Sequence, residues 1–275
     1  MKAPDVVSGE ISRETSGSVL ERIVARKREE VARLRENFRF PQNDRRGPRR
    51  SLKQALTPLA ADPESPRIIA EIKKASPSAG LMRPDFSPAR LAAAYQAGGA
   101  AAISIVTDGP FFQGELDWIA AVRPQVAMPI LRKEFIIDPL QLEETRAAGA
   151  DAVLLIAAIL KEKELAGLLA KAAELDLECL VEIRDEADLL KVNRIGPEIV
   201  GINNRDLRDF SIDIETSARL AARLAPGTLV VSESGIEAPA DIRRLQAAGI
   251  NAFLIGTSLV RAADPQSLLT ELVNG

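Results

Sequence analysis

From Pro66 onward the chain alternates between short β-rich runs and Ala-, Leu- and charge-rich helical stretches, and no other feature constrains the fold as tightly. Eight runs occur: Ile68 to Lys73, Ala101 to Thr107, Met128 to Lys133, Ala152 to Ala157, Glu178 to Ile183, Ile199 to Asn203, Thr228 to Glu233 and Ala252 to Gly256. Several are apolar almost throughout, the pattern of parallel strands covered on both faces. In the third run Pro129 cannot donate to a ladder and fits only at the strand's start.

The junctions repeat a local signature. Ala97-Gly98-Gly99-Ala100, Ala147-Ala148-Gly149-Ala150 and Ala247-Ala248-Gly249-Ile250 each precede an apolar run, and their glycines read as left-handed helix C-caps. Connections this short favour right-handed βαβ crossovers. An open doubly wound sheet usually has fewer strands and a Gly-rich dinucleotide fingerprint after the first, and no such fingerprint follows here. The expectation is an α/β fold, a (β/α)8 TIM barrel formed by residues 66–275. With 275 residues the chain suits one such domain, leaving residues 1–65 as an N-terminal arm and helical extension.

Within the extension, residues 1–17 are polar and aperiodic. Ser18 can cap a helix in which Leu20, Ile23, Val24, Val31 and Leu34 form one apolar stripe on a charged rod. Gln42 to Arg50, with Arg45, Arg46, Arg49 and Arg50 around Gly47 and Pro48, reads as a basic, solvated linker, with an anion site as the rarer alternative.

Composition narrows the function. A net charge of −3 argues against binding dominated by nucleic-acid phosphates. No stretch is long enough to span a bilayer, and the first residues lack the apolar core of a secretory signal, so the expectation is a cytoplasmic protein. The single cysteine, Cys179, cannot form an internal disulfide and reads as a buried structural residue. There is no histidine, so acid-base chemistry falls to Lys, Glu, Asp, Tyr or Cys, and no metal ligation is expected.

Charged residues cluster where strands end, which in a barrel is the active-site mouth. Glu71 and Lys73 share parity on the first strand and point the same way. Lys133 closes the third, Glu182 nearly closes the fifth, Asn203 ends the sixth with Arg205 just beyond, and Glu233 ends the seventh. Any one of these could be a solvated strand end. Together they are harder to explain that way, because charges in a barrel mouth are costly unless they pair or serve a ligand. Ser234-Gly235 and Gly256-Thr257-Ser258 bring small residues and backbone amides to the place where many barrels hold phosphate, although tight turns would use the same residues.

Read in order, these stretches resemble the motifs of indole-3-glycerol-phosphate synthase over nearly the whole chain. They are Ile69-Ala70-Glu71-Ile72-Lys73-Lys74-Ala75-Ser76-Pro77-Ser78, Leu131-Arg132-Lys133-Glu134-Phe135, Val181-Glu182-Ile183, Gly201-Ile202-Asn203-Asn204-Arg205-Asp206-Leu207, Ser232-Glu233-Ser234-Gly235 and Ile255-Gly256-Thr257-Ser258. The resemblance implies ring closure of 1-(2-carboxyphenylamino)-1-deoxyribulose 5-phosphate with loss of carbon dioxide and water, in tryptophan biosynthesis, without a cofactor. It implies Lys133 as acid and Glu182 as base. Lys73 holds the substrate's carboxylate or phosphate and shares the acid role, and Glu71 tunes the lysines. Asn203, Arg205 and Glu233 order the substrate and the ionic network, Ser76 joins the first-strand site, and Phe135 stacks on the anthranilate ring. Ser234, Gly235, Gly256 and Thr257 receive phosphate. It also gives the amphipathic helix and the segment around Leu52 to Leu59 a barrel to pack on. Two positions depart from the family pattern: Glu134 stands where Asp is usual and Ala79 where Lys is frequent, which bears on loop closure and rate. The expected partner is a small phosphorylated molecule, for a monomer or weak homo-oligomer. Rival readings are another phosphosugar barrel, such as a phosphoribosylanthranilate isomerase, or a catalytically silent barrel that binds a phosphometabolite.

Overall fold

The computed structural model describes residues 18–37, 48–206 and 210–275. Eight parallel strands close into a barrel: β1 Arg67–Ile72, β2 Ala102–Val106, β3 Ile130–Lys133, β4 Ala152–Ile156, β5 Glu178–Ile183, β6 Ile199–Asn203, β7 Leu229–Glu233 and β8 Ala252–Ile255. Each strand pairs with the next in sequence, and β1 pairs with β8. Every run read from the sequence is a strand, with ends shifted by at most two residues. In β3 the ladder begins at Ile130, and Pro129 contributes only its carbonyl, which accepts from Ile103 N–H at 3.0 Å.

Helices cover the outside. The helices Pro88–Ala97, Pro139–Ala148 and Pro265–Asn274 start in the same way, with Ser87, Asp138 or Asp264 accepting first-turn amides and proline at the first helical position, where no amide is needed. Gly149 ends the second of these at φ 96°, the left-handed cap expected there. At the first junction the cap, Gly98, is right-handed, and Gly99 takes the positive φ. At the third, Gly249 does so two residues beyond the capping Ala247.

Strand parity produces two kinds of core. Outward side chains such as Ile68, Ile103, Val153, Val181 and Phe253 pack under the helices. Inward ones, including Ile69, Leu131, Leu154, Leu180, Val231 and Leu254, fill the barrel interior. The lower end of that interior is closed by α2, Leu52–Leu56, whose Leu52 and Leu56 are fully buried in the same cluster. Glu178 fixes α2 in place by accepting from Ser51 Oγ at 2.7 Å and from Lys53 N–H at 2.9 Å.

The extension helix α1, Val19–Asn37, is capped reciprocally, Ser18 N–H donating to Glu21 and Glu21 N–H to Ser18 Oγ. Its buried residues are Ile23, Lys27 and Val31, so a lysine lies in the middle of the apolar stripe. The polar arm before Ser18 and Arg45 and Arg46 of the basic linker lie outside the described residues. Arg49 is exposed as expected, but Arg50 is half-buried rather than solvated. Arg50 donates to the carbonyls of Val126 and Met128, and Arg49 pairs with Asp176. Cys179 is partly rather than fully buried on β5, and burial pushes its thiol up to about 12, well out of reactive range.

Candidate active site

One cleft opens at the carboxyl ends of the strands. Its walls include Glu71 and Lys73 from β1, Lys133 from β3, Glu182 from β5 and Asn203 from β6, with Arg205 just beyond. Glu233 lies beneath, 1% exposed, held by Lys133. The four motif segments of the remaining wall, carrying Ser76, Phe135, Ser234 with Gly235, and Gly256 with Thr257, line the same cleft. Apart from Glu233, which lies under it, the residues singled out from the sequence therefore line one cavity.

Its electrostatics centre on Lys133. The ammonium lies 2.7 Å from Glu233 Oε2, 3.6 Å from Glu71 and 3.8 Å from Glu182. Burial alone would lower its pKa, but the carboxylates of Glu233, Glu71 and Glu182 outweigh it and hold the group charged, above the usual lysine range. Lys73 meets Glu71 Oε1 at 2.5 Å. Burial pushes Glu71 up while Lys73 and Lys133 pull it down, and the lysines win. Glu182 goes the other way. Burial and the neighbouring Glu233 raise it to about 7 despite Lys133.

Opposite the lysines the wall is built from backbone and small side chains. Ser234 holds φ 69°, a strained left-handed conformation for a non-glycine residue, and its Oγ donates to Asn203 Oδ1 at 3.0 Å. The same Oδ1 accepts from Arg205 N–H at 3.0 Å, which joins the β6 and β7 rims. Beneath them, Asn204 donates to Ser232 Oγ and to the Ser234 carbonyl and accepts from Ser217, a buried frame the sequence reading did not identify. The helix Thr257–Arg261 starts at Gly256 without a side-chain cap.

The apolar side of the cleft brings Phe112 and Phe135 together, ring centroids 6.0 Å apart, with Val19, Leu20 and Ile23 of α1 alongside. Phe112 and the α1 residues were missed. The alternation rule places chemistry at strand ends and is silent about a preceding helix folding back over the mouth.

Lys27 was missed as well, although its position between Ile23 and Val31, four residues from each, marks it as a buried charge. It pairs with Glu134 at 2.9 Å, Asp108 at 3.0 Å and Glu30 at 2.7 Å. Desolvation is outweighed by Glu134 and Asp108, so its pKa is raised. Glu134 also accepts from Thr107 Oγ1 and Phe135 N–H, both at 2.8 Å, so the residue that departs from the usual Asp is a hub beside Lys133. At the other departure, Ala79 N–H donates to Ser76 Oγ and its carbonyl accepts from Arg261, tying the loop after β1 to the helix after β8.

Among the described residues no group of acidic, Cys or His side chains is placed to hold a metal ion, and no helix is long and apolar enough to cross a membrane. The solved structure of a 3-hexulose-6-phosphate synthase superimposes with TM-score 0.59 over 75% of this chain and 97% of its own, at 18% identity, which speaks for the fold alone. Sequence comparisons reach further. Residues 20–272 match the family model for indole-3-glycerol phosphate synthase. The enzyme of that name from Desulfotalea psychrophila is 46% identical over 258 residues, covering 92% of this chain and 98% of its own. The one from Rhodopirellula baltica is 52% identical over 198 residues, covering 72% and 76%. The ionic cluster, the small-residue wall and these matches agree, and the chain belongs to the indole-3-glycerol phosphate synthase family.

Proposed function

We propose that the cleft converts 1-(2-carboxyphenylamino)-1-deoxyribulose 5-phosphate to indole-3-glycerol phosphate, the family's reaction in tryptophan biosynthesis, using the residues at the barrel mouth. The observation that carries this reading is Lys133, an ammonium group held charged among three carboxylates at the centre of the cleft. Ring closure forms a bond between the aromatic carbon bearing the carboxylate and the sugar ketone carbon. Charge builds on the ketone oxygen, and Lys133 stabilises it and delivers the proton. Loss of carbon dioxide then restores the aromatic ring.

Dehydration requires an acid for the departing hydroxyl and a base for a ring proton. Lys73 stands 15% exposed at the opening, where it can hold an anionic group of the substrate and protonate the leaving hydroxyl. Glu182 is the base, and a carboxyl raised to about 7 is well matched to proton transfer near neutral pH. Glu71 and Glu233 keep the lysines in place. Asn203 and Arg205 order the substrate's sugar, with Ser76 at its edge. Phe135 and Phe112 face the anthranilate ring. Ser234, Gly235, Gly256 and Thr257 receive the phosphate.

The test is turnover of this substrate, followed by indole fluorescence with no metal or nucleotide added. Lys133→Ala should lower kcat on the order of a hundredfold or more, as loss of a positioned acid does. Unchanged turnover in that variant removes Lys133 from the role.

A further inference from the structure

The mouth holds three carboxylates, Glu71, Glu182 and Glu233, against two ammonium groups, Lys73 and Lys133. The carboxylates are 3%, 6% and 1% exposed, and among the described residues only these two lysines lie within ion-pairing distance of them, so they carry an excess of buried negative charge, where the neutral form of an acid is favoured. Glu233 gives Oε2 to Lys133, while its Oε1 is buried and accepts from no donor among the described residues. Glu182 and Glu233 come together on one ammonium, 3.8 Å and 2.7 Å from Lys133 Nζ, and Glu233 is among the groups that raise the Glu182 carboxyl. Two ionised carboxylates offer only acceptors, so this contact is attractive only when one of them carries a proton.

Gly201 makes the approach possible. It is the register partner of Glu182 on β6, and its neighbour across the ladder on β7 is Val231. A Cβ built on Gly201 would sit 2.1 Å from Glu233 Oε1, so the carboxylate occupies the space a side chain would fill. Its backbone has no positive φ, so the glycine is not there for backbone freedom.

We propose that Gly201 is a positioning residue which lets Glu233 lie against Glu182, and that the two carboxyls share one proton in the substrate-free enzyme. The proposal rests on the reading above, in which Glu182 is the catalytic base. The other groups facing Glu182 are Lys133 from β3, Asn203 from β6 and, through Lys133, Glu71 and Lys73 from β1. Arg205 lines the same opening, and β4 presents only Leu154 and Ile156 to it.

The test compares kcat/KM against pH for the wild type, Gly201→Ala, Glu233→Gln and the double variant. The substrate's phosphate titrates identically in all four, so differences between profiles report the enzyme. The atom a Gly201→Ala methyl meets is the end of a flexible side chain, so the barrel should fold, as a thermal melt verifies. The acid limb of the wild type is expected at about 7. It should move down by about one pH unit or more in each single variant, with no further shift in the double. A limb left in place in both single variants, even with reduced activity, overturns the proposal. A readout independent of turnover is the protonated-carboxyl infrared band of substrate-free enzyme, which should titrate near the same pH in the wild type and about one pH unit or more lower in Glu182→Gln and Glu233→Gln. A band that still titrates at the wild-type pH in either variant, or no band near that pH in the wild type, counts against it. Glu182→Gln separates the two readings. Retained turnover there defeats the assignment of the base, whereas lost turnover with an immobile limb in Glu233→Gln defeats only the shared proton.

Discussion

Lys27 of the N-terminal helix reaches Glu134, the residue next to Lys133, at 2.9 Å inside a layer where both are almost fully buried. Removing one partner of a buried pair leaves the other charge without compensation, and here Asp108 loses its cation too. Lys27→Met should therefore cost about 3–5 kcal/mol in denaturant unfolding. Because Glu134 also fixes Phe135 through its amide, KM for the substrate should rise in the same variant. Unaltered stability would show that the helix is held by its apolar stripe alone.

The wild-type pH profile follows from Glu182. Its carboxyl is raised to about 7, so it is protonated, and useless as a base, below that pH. kcat/KM should fall as pH drops through about 7 and hold above it. Lys133, raised by its carboxylates, stays charged through that range and adds no loss on the alkaline side near neutrality. A profile flat down to the usual carboxylate range would contradict the first statement, and a loss of activity just above neutrality the second.

The two rings of the cleft should act mainly in binding. Phe135→Ala and Phe112→Ala each remove an aromatic partner worth about 0.5–1.5 kcal/mol beyond its area, so KM should rise by about two- to twelvefold, with kcat changed less. A fall in kcat at constant KM would instead place these rings against the transition state.

At the far end of the barrel, Leu56→Ala should destabilise by about 2–5 kcal/mol, because Leu56 is 1% exposed where α2 closes the interior. The cleft lies at the opposite end of the strands, so kcat and KM of the folded enzyme should stay at wild-type values. Steady-state kinetics below the melting transition, beside a thermal melt, checks both halves.

Much of this was legible before any coordinates. The eight strands were legible as apolar runs alternating with helical stretches, the strand-end charges from side-chain parity and the rule that barrel chemistry sits at carboxyl ends, and the order of the motifs from the family resemblance. What escaped was whatever depends on distant segments meeting. The spacing of Lys27 from Ile23 and Val31 marks it as buried, but its partners Asp108 and Glu134, just beyond β2 and β3, could not be read from the sequence. Arg50 reads as linker solvation because its acceptors, the carbonyls of Val126 and Met128, carry no sequence signal. The five-residue helix at Leu52 is too short to be stable alone and forms where the barrel floor receives it.

The inward-facing polar tier rests on Leu131, Leu154, Leu180 and Leu254, of which Leu154 and Leu254 also reach the bottom of the cleft. The charged side chains occupy the upper storey of one cylinder, and most of the apolar packing lies below them. A library randomised only on the upper storey should yield many soluble, well-folded members with altered chemistry, since the packing that secures the cylinder is left untouched.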